Sequence, residues 1–213
     1  MSEPRETAEE VEEVVAGLYH WRIHNSAIGG GISSSHALAA GGGCVLIDPV
    51  RLADDALAQL PEPRAILLTA RCHQRAAWRY RRQFDVEVWM PKDAAPADED
   101  PDQLYLEGDL LPGGLLAMRT PGPEWPHYSF LMEPRVEWGL PEDGVLFVSD
   151  LVMRPDGREL QYVPFEFHED PAATRHSVAG LLGLPFAILC LDHGAPITEK
   201  PKKALQELFD RSE

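Results

Sequence analysis

The stretch Ala65-Ile66-Leu67-Leu68-Thr69-Ala70-Arg71-Cys72-His73-Gln74-Arg75 constrains this chain most. An apolar run, Ala65 to Leu68, ends at Thr69 and gives way to a polar loop. A helical pattern over 76–84 follows, with a basic face of Arg79, Arg81 and Arg82. A strand that stops at a loop holding Cys, His and two Arg, and then enters a helix, sets chemistry-bearing side chains at a strand end. The rest of the chain has to build around that point.

Upstream, residues 1–13 are acidic and polar and read as a flexible lead-in to a single domain over 14–213. Residues 14–23 alternate as a first strand. Residues 33–40 and 43–47 form a hairpin around Gly41-Gly42-Gly43, which ends at Asp48-Pro49. Leu52, Ala56, Leu57 and Leu60 have helical spacing and stop at Pro61. Downstream, 86–90 reads as a strand, 92–101 as a loop, and 110–118 as a Pro-Gly-Gly turn followed by a strand. Residues 128–132 and 145–148 are two more strands, 170–184 a helix with Pro171 at its start, 187–191 a last strand and 204–209 a last helix. This order argues a mixed α/β layered fold rather than one doubly wound sheet.

The chain carries 19 Lys and Arg against 35 Asp and Glu, a net charge of −16. Such a surface repels phosphate backbones and anionic lipid, so neither nucleic acid nor membrane is an expected partner. Cys44, Cys72 and Cys190 do not make a disulfide framework. Cys44 and Cys190 sit in apolar runs, whereas Cys72 sits in the polar loop. The N-terminus lacks the order of a signal peptide, so the expected location is cytoplasmic. Gly29-Gly30-Gly31 and Gly41-Gly42-Gly43 lack the Lys and the following helix of a phosphate loop and read as turns.

Five short segments in order resemble the metallo-β-lactamase superfamily. They are Val45-Leu46-Ile47-Asp48, Ile66-Leu67-Leu68-Thr69, Thr120-Pro121-Gly122, Phe147-Val148-Ser149-Asp150 and Leu191-Asp192-His193-Gly194. The resemblance implies an αββα sandwich, two mixed β-sheets flanked by helices, with a site at one edge where two metals, commonly zinc, activate water. Laid on the family's His-x-His-x-Asp-His loop, this chain has Ala70, Cys72, Gln74 and Arg75. Pro123 stands where the next His follows Thr-Pro-Gly, and His127 comes four residues later. Asp150 and His193 match the two remaining ligand positions. The loop fits a Thr-x-Arg-x-His-x-Arg variant of the superfamily, to which the resemblance attaches no activity.

From these residues the expected cofactor is none. Zinc or another divalent ion would have to be held by Cys72, Asp150 and His193, with His127 or His73 assisting, against the fixed charge of Arg75. Arg75 is expected to extend into the vacated cavity and pair with Asp150, and Arg71 to face Asp48 or Asp192. Asp48 is expected to order the loop by hydrogen bonding. Cys72, His73, Asp150, His193 and His127 are the catalytic candidates of the former cleft. Each also has a structural reading: His73 as a solvated loop residue, Cys72 as packing, His193 as an anchor for the neighbouring loop. Cys72 and His73, adjacent in sequence, are expected to point apart. Trp125 and His127, with Trp138, can line a ligand pocket. Three functions follow: a cleft binding a small molecule or protein without dinuclear chemistry; a hydrolase using one metal or none; and a homodimeric interaction or scaffold protein.

Overall fold

In a computed structural model, residues 3–134 and 143–211 are described. The first sheet runs β1 (Glu12–Val15), β2 (Leu18–Asn25), β3 (Gly31–Ala40), β4 (Gly43–Ile47), β5 (Pro63–Leu67), β6 (Glu87–Pro91) and β7 (Gln103–Tyr105) in sequence order. β1 to β4 are antiparallel, and β4 to β7 are parallel. Helices α1 (Asp54–Leu57) and α2 (Ala77–Phe84) supply the crossovers of its parallel half. The second sheet contains β8 (Leu110–Leu111), β9 (Leu115–Arg119), β10 (Tyr128–Met132) and β11 (Gly144–Val148). A small hairpin, β12 (Val152–Met153) and β13 (Gln161–Tyr162), follows. Helix α3 (Pro171–Leu181), strand β14 (Phe186–Leu191) and helix α4 (Pro201–Asp210) complete the chain, β14 joining β11 in parallel.

Three apolar layers hold four layers of structure. Ala77, Trp78 and Tyr80 of α2 pack on Ile66, Val88 and Met90, the outer face of the first sheet. Ala65 and Leu67 point the other way, into the layer between the sheets, against Tyr105, Tyr128 and Phe147. Val178 and Leu181 of α3, with Leu205 and Leu208 of α4, cover the far face of the second sheet. β5 is therefore buried on both faces, which is why it reads as an unbroken apolar run instead of an alternation.

Three segments depart from the sequence reading. Residues 14–23 are not one strand, because Ala16-Gly17 turns the chain between β1 and β2. The helix expected over 52–60 shrinks to the single turn of α1, whose N-terminus has no side-chain cap and which stops before Pro61. Residues 3–11, read as a lead-in, lie against the first sheet: Ala8 bridges Leu52, and Glu3 pairs with Arg51 and Arg79. The basic face of α2 is an ion-pairing face, with Arg81 on Asp102 and Arg82 on Glu99.

Candidate functional site

The C-terminal ends of β4, β5, β11 and β14 open on one edge of the sandwich, and each delivers a polar residue there. Asp48 follows β4, Thr69 follows β5, Ser149 and Asp150 follow β11, and Asp192 and His193 follow β14. Two glycines of the matched segments are held by close contacts. A Cβ on Gly122 would stand 2.1 Å from Thr174 Oγ1, and one on Gly194 would stand 2.4 Å from the Arg154 carbonyl. Both also have positive φ, so a side chain there is excluded twice.

Asp48 ties the loop to the sheet, as expected. The Thr69 N–H donates to its Oδ1 at 2.9 Å and the Thr69 hydroxyl to its Oδ2 at 2.5 Å, with Asp48 fully buried. Burial opposes its charge, but His73 and Arg75 outweigh that and hold its pKa below the ordinary carboxylate value.

His73 is the centre of the site, not a solvated loop residue; it is 4% exposed. Its Nδ1 lies 2.8 Å from Asp192 Oδ2 and 2.9 Å from Ser149 Oγ, and its Nε2 lies 3.2 Å from Asp150 Oδ2. Burial alone would strip its proton. The carboxylates of Asp150 and Asp192 reverse that and raise its pKa well above the ordinary imidazole value. Residues 71–73 form a turn of 3-10 helix, so Cys72 and His73 do not point apart as on an extended chain. Both reach Asp150 Oδ2, the Cys72 Sγ at 3.6 Å. Burial pushes the Cys72 thiol up to about 11, and its backbone N–H donates to Glu124.

Asp150 does not pair with Arg75. His73 meets its Oδ2, and His193 Nε2 lies 2.7 Å from its Oδ1. Burial opposes its charge, yet these two rings hold its pKa well below the ordinary value. His193 Nδ1 lies 2.6 Å from the Ile32 carbonyl. A carbonyl only accepts, so Nδ1–H donates to it and Nε2 is the nitrogen turned to Asp150.

Arg75 is 5% exposed, and its backbone has a φ of 42°. One terminal nitrogen donates to the carbonyls of Ser34, at 2.6 Å, and Asp48, at 2.9 Å; the other lies 3.6 Å from Asp192 Oδ2. The guanidinium is thus inside the site as expected, but on Asp192, because Asp150 is already met by two imidazoles. Arg71 faces neither Asp48 nor Asp192. It is half-buried and makes no ion pair among the described residues. Gln74 is turned into the structure: its Oε1 accepts from Trp78 Nε1 and from the Asp98 N–H.

His127 directly precedes β10 and bridges Ala70, so the loop is rebuilt to bring it back to the site. Its Nδ1 donates to the Thr120 carbonyl at 2.7 Å. Its Nε2 is buried without a partner among the described residues, and burial lowers its pKa to about 4. Trp125 is 54% exposed, with the Arg119 guanidinium 3.7 Å over its ring. Trp138 lies outside the described residues. Sequence reasoning missed Ser34, whose carbonyl holds Arg75, and His168, buried with Nδ1 2.7 Å from Thr174 Oγ1; neither sits in a pattern that would mark it. Two cavities of about 460 and 470 Å³ lie at the other end of the strands, around Gly41.

No family model and no curated relative matches this sequence. Solved structures do match its fold. The metallo-β-lactamase DIM-1 aligns with a TM-score of 0.68 at 14% identity, over 98% of this chain and 100% of its own. The class B3 di-zinc metallo-β-lactamase LRA-12 from an Alaskan soil metagenome gives 0.65 at 13%, over 99% and 96%. An archaeal metallo-β-lactamase superfamily protein from Sulfolobus tokodaii gives 0.65 at 14%, over 84% and 79%. This chain has the metallo-β-lactamase fold. No helix among the described residues is long and apolar enough to cross a membrane.

Proposed function

We propose that this protein uses the cleft of a metallo-β-lactamase fold as a small-molecule binding site, without a dinuclear metal centre. The observation that carries this reading is the buried guanidinium of Arg75, within 3.6 Å of Asp192. A permanent cation beside that carboxylate repels a second cation in a partly dry site. Ala70 and Pro123 bring no donor, and Gln74 is committed to Trp78 and Asp98. The family's set of two-metal donors is therefore incomplete, although Asp48, His73 and Asp192 also bring ligand atoms within 4.8 Å of one another. Two monovalent cations, Arg75 and the protonated His73, stand among Asp48, Asp150 and Asp192 and supply the charge that a divalent ion would.

A second reading rests on a separate observation. Donor atoms of Cys72, His73 and Asp150 lie within 4.8 Å of one another, and this soft-and-hard mixture suits one zinc-like ion. Those three residues would hold it, rather than the set Cys72, Asp150 and His193, because His193 faces the other oxygen of Asp150. Such an ion would lower the pKa of a bound water and support hydrolysis. Binding it requires the Cys72 thiol and His73 to give up protons, which their raised pKa values oppose. Titrating the purified protein with zinc at pH 7, with an indicator in competition, separates the readings. The first predicts no site tighter than micromolar; a stoichiometric tight site lost in Cys72→Ser and His73→Gln replaces it with the second.

A further inference from the structure

The described arginines of this acidic chain fall into two groups. Arg22, Arg51, Arg64, Arg75, Arg79, Arg81, Arg82 and Arg211 each have a carboxylate within 4 Å. Arg71, Arg119 and Arg154 have none among the described residues, although all three are half-buried. A half-buried cation without an anion is unfavourable, and in a chain of net charge −16 a partner is easy to supply. Arg5, Arg158 and Arg175 also have no carboxylate within 4 Å among the described residues, but all three are exposed, so water serves them.

The three half-buried arginines come from three segments of the cleft. Arg71 belongs to the turn that carries Cys72 and His73. Arg119 ends β9 just before Thr120, and its Nε is buried with no partner among the described residues while its guanidinium lies over exposed Trp125. Arg154 bridges Gly194 and takes the His193 carbonyl on its N–H. Asp150 and Asp192, at the strand ends beside these segments, are already met by His73, His193 and Arg75. Glu124, which accepts from the Cys72 N–H, pairs with none of the three among the described residues.

We infer that Arg71, Arg119 and Arg154 form an anion-recognition rim, and that the ligand of the cleft is a small organic anion with a carboxylate or phosphate and a flat apolar part. Guanidinium forks match the planar oxygens of either headgroup. Trp125 offers an exposed ring for the flat part. The overall negative charge of the chain excludes long polyanions while leaving this local patch, so the ligand is small. The inference rests on the reading of the cleft as a metal-free binding site.

Phenyl phosphate is the probe, titrated into the intact protein in chelator and again with one equivalent of zinc, by calorimetry and tryptophan fluorescence. Saturable binding in chelator is expected. Arg119→Gln and Arg154→Gln should each weaken it about tenfold, and added salt should weaken it further. Arg79→Gln and Arg82→Gln, on paired arginines of α2, should leave it unchanged. Circular dichroism of each variant checks that the fold is kept. Absence of binding in both arms, or binding equally sensitive to all four substitutions, overturns the rim and leaves the metal-free reading standing. Binding that appears only with zinc overturns both, because the anion is then read by a metal.

Discussion

Strand β3 passes through two buried polar regions that solve the same problem in opposite ways. At the level of Ser34, ionised groups are buried and every one is met: Arg75 by two carbonyls and Asp192, His73 by Asp150 and Asp192, Asp48 by Thr69. Two residues further along, His36 faces His20 across β2 and β3, with ring centroids 5.3 Å apart. There, both nitrogens of His36 and Nε2 of His20 are buried with no partner among the described residues. Burial pushes these two rings down to about 3 and about 4, so both are neutral. The first region keeps charge by pairing it, and the second avoids charge by refusing protons. Removing one member should therefore be costly in the first and cheap in the second.

The largest contrast is expected between Arg75→Met and His36→Leu. Arg75→Met removes one of the two cations that meet Asp192 and a donor to the Ser34 and Asp48 carbonyls, and should destabilise by about 3–5 kcal/mol in urea denaturation at pH 7. His36→Leu replaces a ring that makes no hydrogen bond and should change stability by about 1 kcal/mol or less in either direction. Equal losses would break the comparison.

Acid and alkali should act on different regions. His20 and His36 have folded pKa values below the ordinary 6.5, so the unfolded chain binds the protons more readily. Stability is lost as pH falls below about 6.5, by about 2 kcal/mol per ring at pH 5. Asp150 is depressed, so its contribution is present above the ordinary carboxylate value and survives this range. His73 is raised, so its contribution is full below 6.5 and is lost as pH rises through its folded value. Urea midpoints across pH 5 to 10 should show His36→Leu flattening the acid limb and His73→Gln the alkaline limb; the reverse assignment would sink the account. A smaller loss, about 1–3 kcal/mol, is expected for Thr69→Val, which takes a donor from buried Asp48. The smallest effect, at most about 0.5 kcal/mol, belongs to Arg82→Gln on the exposed face of α2.

Much of this was legible in residues alone. The apolar run of β5, the strand ends at Asp48, Asp150 and His193, and the ordering of the loop by Asp48 are local patterns, and local patterns survive folding. What Arg75 touches was not legible, because three carboxylates converge on one site and only the positions of His73 and His193 decide which is free. His73 was undervalued because its role depends on a turn of 3-10 helix inside a polar loop that reads as extended. β12 and β13 are two residues each and have no period to detect. The His20–His36 pair depends on register, which a sequence does not print.

Under the proposed function, protein cations occupy the place of metal charge in this cleft. Elemental analysis of the protein, expressed with zinc, iron and manganese supplied and purified without chelator, tests it most directly. The account predicts well below one metal per chain. Two metals per chain, retained through gel filtration, would contradict it.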